Sequence, residues 1–138
     1  MDFQLNSRLD QDCHFLGRMA DSQLLLLDNT LFTWLILVPE TVHEEIYLLP
    51  SEQKSRVYQQ IDQLSEFIVD QFKVDKLNVA AIGNVVSQLH IHIVGRRKGD
   101  PCWPGVVWGY GERESYSNDL VADIRDRLMK RDLIDIKT

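Results

Sequence analysis

The stretch Ser87–Gly95 constrains the fold of this chain more than any other part of the sequence. Within it, polar and apolar residues alternate, which is the period of a β-strand. One face of that strand carries Gln88, His90 and His92, and the opposite face is apolar. The two histidines should then lie roughly 6 to 7 Å apart along the strand. An apolar back face combined with two neighbouring histidines predicts a buried strand that contributes to an active site.

Two further strands are predicted upstream. Ser22–Leu27 and Phe32–Val38 are nearly continuous in apolar residues, and Asp28 and Asn29 between them favour a tight turn. Strands with continuous apolar sequence are usually covered on both faces. Pro39 should end the second strand because it has no backbone donor.

Helical periodicity defines two other segments. Ser51 is a good N-cap, and apolar residues recur after it at spacings of three and four residues up to Phe72. A second amphipathic helix is predicted to start at Ser117 or Asn118 and to run through Leu128. The first helix is long enough to lie across one face of the sheet.

The remaining elements complete the sheet. Lys76–Ile82 is predicted as a strand that turns at Gly83 and Asn84 and pairs antiparallel with the histidine strand. Residues 13–17 fit either a short strand or a loop. The fold class is therefore α+β, an antiparallel sheet of about five strands with one main helix and a C-terminal helix. We expect a single domain over residues 1–138.

Composition excludes several classes of protein. The net charge of −6 argues against a general nucleic-acid binder, which would normally be basic. The longest apolar run is too short to span a bilayer, and the polar start does not resemble a secretory signal. Cys13 and Cys102 are too few for a disulfide framework, so we expect reduced thiols and a cytoplasmic protein with no membrane partner.

The paired histidines leave three chemical interpretations open. Neutral imidazoles at this spacing can share a metal ion, but the further histidines His14 and His43 stand at no recognisable ligand spacing. The pair can also be structural. In the third interpretation His90 or His92 is a nucleophile toward phosphorus, with one ring nitrogen free and the other hydrogen-bonded. The basic run Arg96–Lys98 would then attract a phosphate-bearing substrate.

The motif itself resembles that of a known family. Gln88-Leu89-His90-Ile91-His92-Ile93-Val94 is similar to the histidine-triad (HIT) motif, in which three histidines alternate with apolar residues, except that Gln88 replaces the first histidine. The order of the predicted elements and the Trp103-Pro104 pair are also similar, so the resemblance covers roughly residues 15–108. Among family members, the chain most resembles the small bacterial hydrolases of the diadenosine tetraphosphate hydrolase type.

The resemblance implies an activity and roles for residues. Members are typically homodimeric hydrolases or transferases acting on nucleoside phosphoramidates, dinucleoside polyphosphates or nucleotide sugars, and they require no metal or cofactor. His90 corresponds to the nucleophile that attacks the α-phosphorus and forms a nucleotidyl-histidine intermediate. His92 corresponds to the histidine that contacts phosphate or the bridging oxygen. Asn84 is expected near the phosphate, and Trp103 is expected to bind nucleotide or to reach the partner subunit.

Three positions qualify the comparison. Gln88 cannot titrate near neutral pH, although its amide can donate to a phosphate oxygen and its main-chain carbonyl can still orient the nucleophile. Val85 stands where members often have a serine or threonine, and His43 corresponds only weakly to a histidine found after the second strand. The alternatives are therefore a non-catalytic nucleotide-binding protein and, less favoured, a histidine-based metal-binding domain.

Overall fold

The fold is built around one antiparallel sheet. The structure is a computed structural model that describes residues 2–136. Its strands are β1 (Cys13–Met19), β2 (Ser22–Leu27), β3 (Thr33–Pro39), β4 (Lys76–Ala80) and β5 (Ile91–Arg96). Its helices are α1 (Ser7–Asp12), α2 (Ser51–Phe72) and α3 (Asn118–Lys130), and Ile46–Leu48 forms a 3₁₀ turn. The strand order is β1-β2-β3-β5-β4, which confirms the predicted α+β class.

Helices α2 and α3 cover one face of the sheet. Apolar side chains from alternate positions of β2, β3 and β5 point toward them and form the larger core cluster together with Val57, Leu64, Ile68, Val121 and Leu128. Close packing is required where α2 crosses β5, because a Cβ on Gly95 would lie 2.6 Å from Ile68 Cγ2. Strand β5 is thereby fixed against the main helix.

The opposite face of the sheet is covered by the N-terminal segment, which includes α1, and by the loop after β5. A second core cluster joins Trp34, Ile36 and Val38 of β3 to Leu9 of α1 and Val107 of the loop after β5. Every residue of β3 is buried, which confirms the prediction that its continuous apolar sequence is covered on both sides. The face that carries His92 is therefore enclosed by the N-terminal segment and by the loop.

The histidine strand is shorter than the sequence predicts. Pairing with β3 begins at Ile91, opposite Leu37, so residues 87–90 precede β5 instead of forming part of it. Strand β3 ends at Pro39, which leaves this part of the chain without a ladder partner. The carbonyl of Gln88 accepts a hydrogen bond from a histidine ring instead.

Smaller differences from the sequence predictions have local causes. Strand β4 ends at Ala80, two residues early, and α2 is preceded by Pro50 as its N-cap residue. Gln60 of α2 is polar but buried; its amide oxygen accepts from Ser22 Oγ at 2.8 Å and its amide nitrogen donates to the Met19 carbonyl at 2.8 Å. Within residues 2–136, no helix is long and apolar enough to cross a membrane.

Candidate active site

His90 has one ring nitrogen free for chemistry. The residue is buried, and its Nδ1 lies 2.7 Å from the main-chain carbonyl oxygen of Gln88. A carbonyl oxygen only accepts hydrogen bonds, so Nδ1 must carry the proton and donate the hydrogen bond. The lone pair therefore resides on Nε2. The geometry prepares His90 to act as a nucleophile or a base through Nε2.

His92 is held in the opposite tautomer. The indole Nε1–H of Trp34 lies 2.9 Å from His92 Nδ1, and an indole nitrogen only donates. Nδ1 of His92 is therefore an acceptor, and Nε2 carries the proton. Burial, and to a smaller extent the neighbouring His90, together lower the pKa of His92 to about 4. At neutral pH the residue is an uncharged hydrogen-bond donor.

The two rings form one polar unit inside an aromatic wall. Their centroids are 4.8 Å apart, so they touch edge to face. The ring of Trp108 lies 5.4 Å from His92 and 5.7 Å from Trp34, which encloses the pair on the loop side. This packing excludes water from the back of the rings and fixes their orientation.

A cavity of about 410 Å³ opens beside the two histidines. Its lining combines the two rings with mostly small or apolar side chains and three polar ones, and it comprises Arg8, Leu9, Asp12, Ile82, Gly83, Asn84, Val85, Val86, His90, His92 and Trp108. The volume suits a small organic ligand. A free imidazole nitrogen and an imidazole N–H at the base of such a cavity can attack an electrophile and bind the negative charge that develops on it.

The side chain of Gln88 is turned toward the N-terminal segment. Its Oε1 accepts from the Asn6 backbone N–H at 2.8 Å, and its Nε2 donates to the Gln4 carbonyl at 2.9 Å. The residue does not line the cavity of about 410 Å³, although it borders a smaller depression of about 60 Å³ together with His90. Its contact with the site is made by its main-chain carbonyl, which no side-chain change removes.

The comparisons with known proteins identify the family. Residues 8–99 match the model of the HIT domain. The chain is similar to the solved structure of a histidine triad protein from Marinobacter aquaeolei, with 41% identity, a TM-score of 0.89 and coverage of 95% of this chain and 98% of that one. The chain belongs to the HIT family. It also resembles a histidine triad protein of Bradyrhizobium japonicum, with 35% identity, a TM-score of 0.89 and coverage of 96% and 98%. Among curated proteins, no relative matches it.

The HIT domain brings together some of the residues selected from sequence and separates others. Asn84 lines the same cavity as His90 and His92. Trp103 does not line that cavity, and its ring instead lies 5.5 Å from the Arg96 guanidinium. The roles predicted for Asn84 and Trp103 stay predictions.

The other two histidines lie outside this cavity of the HIT domain. His14 Nε2 lies 2.9 Å from Asp28 Oδ1, so this histidine is hydrogen-bonded within the fold. His43 lines a separate depression of about 400 Å³ that Gln88 also borders. Across residues 2–136, no three His, Cys, Asp or Glu side chains are grouped so as to hold a metal ion.

Two tryptophans and helix α1 are functional features that the sequence analysis missed. Trp34 lies opposite Val94 in the β3–β5 pair and so reaches His92, two register positions away on the same face. No role was predicted for Trp108. The alternation of β3 indicates which face carries Trp34. Placing that face beside His92 also requires the pairing of β3 with β5, and β5 is distant in sequence.

Acid should destabilise this HIT protein through His92. The unfolded chain protonates this residue near its ordinary pKa of 6.5, whereas the folded chain does so only near 4. The unfolded state therefore binds more protons between these values, and the free energy of unfolding should fall by about 3 kcal/mol as the pH drops from 7 to 4. Urea unfolding at several pH values should show a weaker pH dependence in His92→Gln than in the wild type.

His43, one of the two histidines outside the site, provides the control for this measurement. His43→Gln, on the connection after β3, should keep the wild-type pH dependence. If the free energy of unfolding of His92→Gln depends on pH as steeply as that of the wild type, then burial does not hold His92 neutral.

Proposed function

We propose that this HIT protein cleaves nucleotides at the α-phosphate through a covalent nucleotidyl-histidine intermediate on His90. Its substrates would be dinucleoside polyphosphates, nucleoside phosphoramidates or related nucleotides, as in the small bacterial hydrolases of the diadenosine tetraphosphate hydrolase type. HIT proteins are often nucleotide hydrolases. The observation that carries the proposal is the pair of opposite tautomers, with an Nε2 lone pair on His90 beside an Nε2–H on His92.

The first step forms a bond from His90 Nε2 to the α-phosphorus and breaks the bond to the leaving group. The electron pair of that bond departs with the leaving group; a polyphosphate leaves as a stable anion, and an amine takes a proton from water. The attacking His90 ring becomes positively charged, and the Gln88 carbonyl, 2.7 Å from Nδ1, stabilises this charge through the hydrogen bond that it accepts from the Nδ1–H. His92 Nε2–H donates to the phosphoryl or bridging oxygen as negative charge develops there.

The second step returns the enzyme to its starting state. Water, or another acceptor in a nucleotidyl transfer, attacks the phosphorus and breaks its bond to His90 Nε2. The electron pair returns to the nitrogen, the water proton passes to solvent, and a nucleoside monophosphate is released. We assign Asn84, on the cavity wall, to phosphate binding. Gln88 contributes through its carbonyl, and Trp103 would act only if a ligand or a partner subunit reaches the loop.

Trapping the intermediate tests the proposal directly. The protein is mixed with diadenosine tetraphosphate or adenosine phosphoramidate, quenched in alkali, in which phosphohistidine bonds survive, and digested for mass spectrometry. We expect product formation and a nucleotidyl adduct on the peptide that contains His90. Turnover with an adduct on another residue would contradict the assignment of the nucleophile. Tight nucleotide binding without turnover of either substrate would favour the non-catalytic binding protein instead.

We also propose that the protein is a homodimer joined along β4. This strand lies at the edge of the sheet, and an edge strand presents unpaired backbone groups. Val79 in β4 is 45% exposed, and Ile82 and Val85 just after it are also exposed. An apolar edge of this kind is typical of an interface between protein chains.

Substitution of Val79 by lysine should dissociate this dimer. In sedimentation velocity at micromolar concentration we expect the wild type to be a dimer and Val79→Lys to be mainly a monomer. Val69→Lys is the matched control, since Val69 is equally exposed (45%) but lies on α2. A wild type that sediments as a monomer, or a Val79→Lys variant that stays dimeric, would contradict the proposed interface.

We propose a cytoplasmic location for this activity. Cys13 and Cys102 are both free thiols in the structure. Free thiols persist in a reducing compartment. Nucleotide substrates are also concentrated in the cytoplasm, and this agrees with the expectation from composition.

A further inference from the structure

We propose that Arg8 binds the phosphates of the leaving group and that Gln88 is the positioning residue that holds Arg8 at the cavity. This inference rests on the proposed function, and within that substrate class it predicts a preference for nucleotides that have a polyphosphate leaving group. It also assigns a role to the side chain of Gln88, which positions the N-terminal segment and does not contact the substrate.

Arg8 is the one lysine or arginine among the residues that line the His90 cavity. It projects from α1, and its side chain is 64% exposed. Its ion pair with Asp12 is long, at 3.9 Å, and both groups are solvated. An exposed pair of this kind contributes little to stability, so Arg8 can exchange it for a phosphate at small cost.

Asp12 would not be left without a cation when Arg8 turns away. Nη1 of Arg113 lies 4.0 Å from Asp12 Oδ1, and the same guanidinium donates to the Asp12 main-chain carbonyl at 3.1 Å. The negative charge at this edge of the cavity is therefore already partly balanced. Arg8 remains available for an anionic ligand.

The positions of the charged and reactive groups order the substrate within the cavity. His90 and His92 are each less than 10% exposed and form its buried end, whereas Arg8 lies at the solvent-exposed edge. A nucleotide whose α-phosphate meets His90 would direct its further phosphates toward solvent. A guanidinium at that edge binds phosphate oxygens through charge-assisted hydrogen bonds.

Gln88 fixes the segment that carries Arg8. Its two amide hydrogen bonds engage the Asn6 N–H and the Gln4 carbonyl, which flank a single residue of the N-terminal segment. Asn6 in turn caps α1, because its Oδ1 accepts from the Arg8 backbone N–H at 2.9 Å. Buried Leu9 anchors the same turn in the cluster around Trp34. The residue two positions before the nucleophile thus determines where the cation lies.

Arg8→Gln tests the cation. We expect the ratio of kcat/KM for diadenosine tetraphosphate to that for adenosine phosphoramidate to fall about tenfold, mainly through a higher KM for the tetraphosphate. Only the tetraphosphate has leaving-group phosphates for Arg8 to bind. Arg127→Gln is the matched control, because Arg127 also forms an exposed i,i+4 ion pair, with Asp123 on α3, away from the cavity. It should leave the ratio unchanged.

Gln88→Leu tests the positioning role and retains the main-chain carbonyl. We expect faster hydrogen exchange of the Asn6 amide and of the α1 amides, together with a fall in the substrate ratio similar to that of Arg8→Gln. The double variant should lose no more than either single variant, because both changes remove the same interaction. Gln60→Leu, which removes a comparable pair of amide hydrogen bonds on the helix-covered face, should change neither measurement.

Several outcomes would overturn the inference. An unchanged substrate ratio in Arg8→Gln would exclude Arg8 as a phosphate ligand, while turnover of both substrates in the wild type would leave the proposed function intact. Unchanged exchange of the Asn6 amide in Gln88→Leu, or additive losses in the double variant, would exclude the positioning role. A wild type that neither binds nor cleaves either substrate would overturn the proposed function itself, and the assignment of Arg8 with it.

Discussion

Replacement of Asp100 by alanine is expected to destabilise the protein by about 3 to 5 kcal/mol. Its partner Arg96 is 1% exposed. The Asp100 carboxylate receives two hydrogen bonds from that guanidinium, at 2.7 Å from Nε and 3.1 Å from Nη2. This pairing holds the pKa of Asp100 below its usual value. Without the carboxylate, a buried positive charge would keep the neutral Asn78 side chain, the Cys102 sulfur and two aromatic rings as neighbours, none of which carries a compensating negative charge.

Urea denaturation of single and double variants measures this effect. Arg96→Met combined with Asp100→Ala should recover part of the loss, because the double variant buries no unpaired charge. Asp123→Ala is the control, since it breaks an exposed ion pair with Arg127 at 3.0 Å and should cost less than about 1 kcal/mol. If Asp100→Ala costs no more than Asp123→Ala, the buried pair does not stabilise the fold.

The Arg96–Asp100 pair also shows that a run of basic residues in a sequence does not by itself predict a phosphate-binding surface. The run Arg96–Lys98 was interpreted as a patch that attracts phosphate. Strand β5 alternates, so Arg96 shares a face with His92 and points into the protein, where Asp100 neutralises it. Arg97 donates to the Phe72 carbonyl at 2.7 Å. Whether a basic residue meets substrate or an internal carboxylate depends on tertiary contacts that a charge run does not encode.

Periodicity predicted the elements whose apolar pattern is regular. Strand β2 has the predicted bounds, and α2 and α3 begin within one residue of the predicted positions. Strand β1 was left open because its register shifts between Phe15 and Gly17, and such an irregularity interrupts the alternation. Helix α1, Ser7–Asp12, is six residues long and too short to show a helical period. Hydrophobic periodicity therefore predicted an element only where the pattern repeats over several helical turns or several strand residues.

The candidate site was predictable to the extent that its residues are neighbours in sequence. Alternation placed His90 and His92 together, and the family resemblance assigned the Gln88 carbonyl to the nucleophile, where the structure has a 2.7 Å contact. Trp34 and the N-terminal segment escaped prediction because they reach the site from elements distant in sequence. Gln88 was expected to face the cavity, but its side chain is engaged by Gln4 and Asn6.

Replacement of His90 by alanine should lower kcat/KM for both substrates by about 10⁴-fold or more, equivalent to about 5.5 kcal/mol of transition-state stabilisation. The variant lacks the Nε2 lone pair, and His92 cannot replace it because its Nδ1 is engaged by Trp34. Nucleotide binding should persist, since the remaining cavity wall is unchanged. Steady-state kinetics and calorimetry with a nucleoside monophosphate measure the two quantities separately.

Two comparisons make the His90 result specific to nucleophilic catalysis. His14→Ala removes a histidine that is hydrogen-bonded to Asp28 outside the cavity, and it should leave kcat/KM unchanged. Added imidazole should partly restore turnover in His90→Gly, because a free imidazole can occupy the vacated space and attack phosphorus. Turnover that persists undiminished in His90→Ala would contradict the nucleophile assignment. Weakened binding with proportionate loss of activity would instead identify His90 as a ligand-binding residue, because a nucleophile acts on the rate of the chemical step and not on affinity.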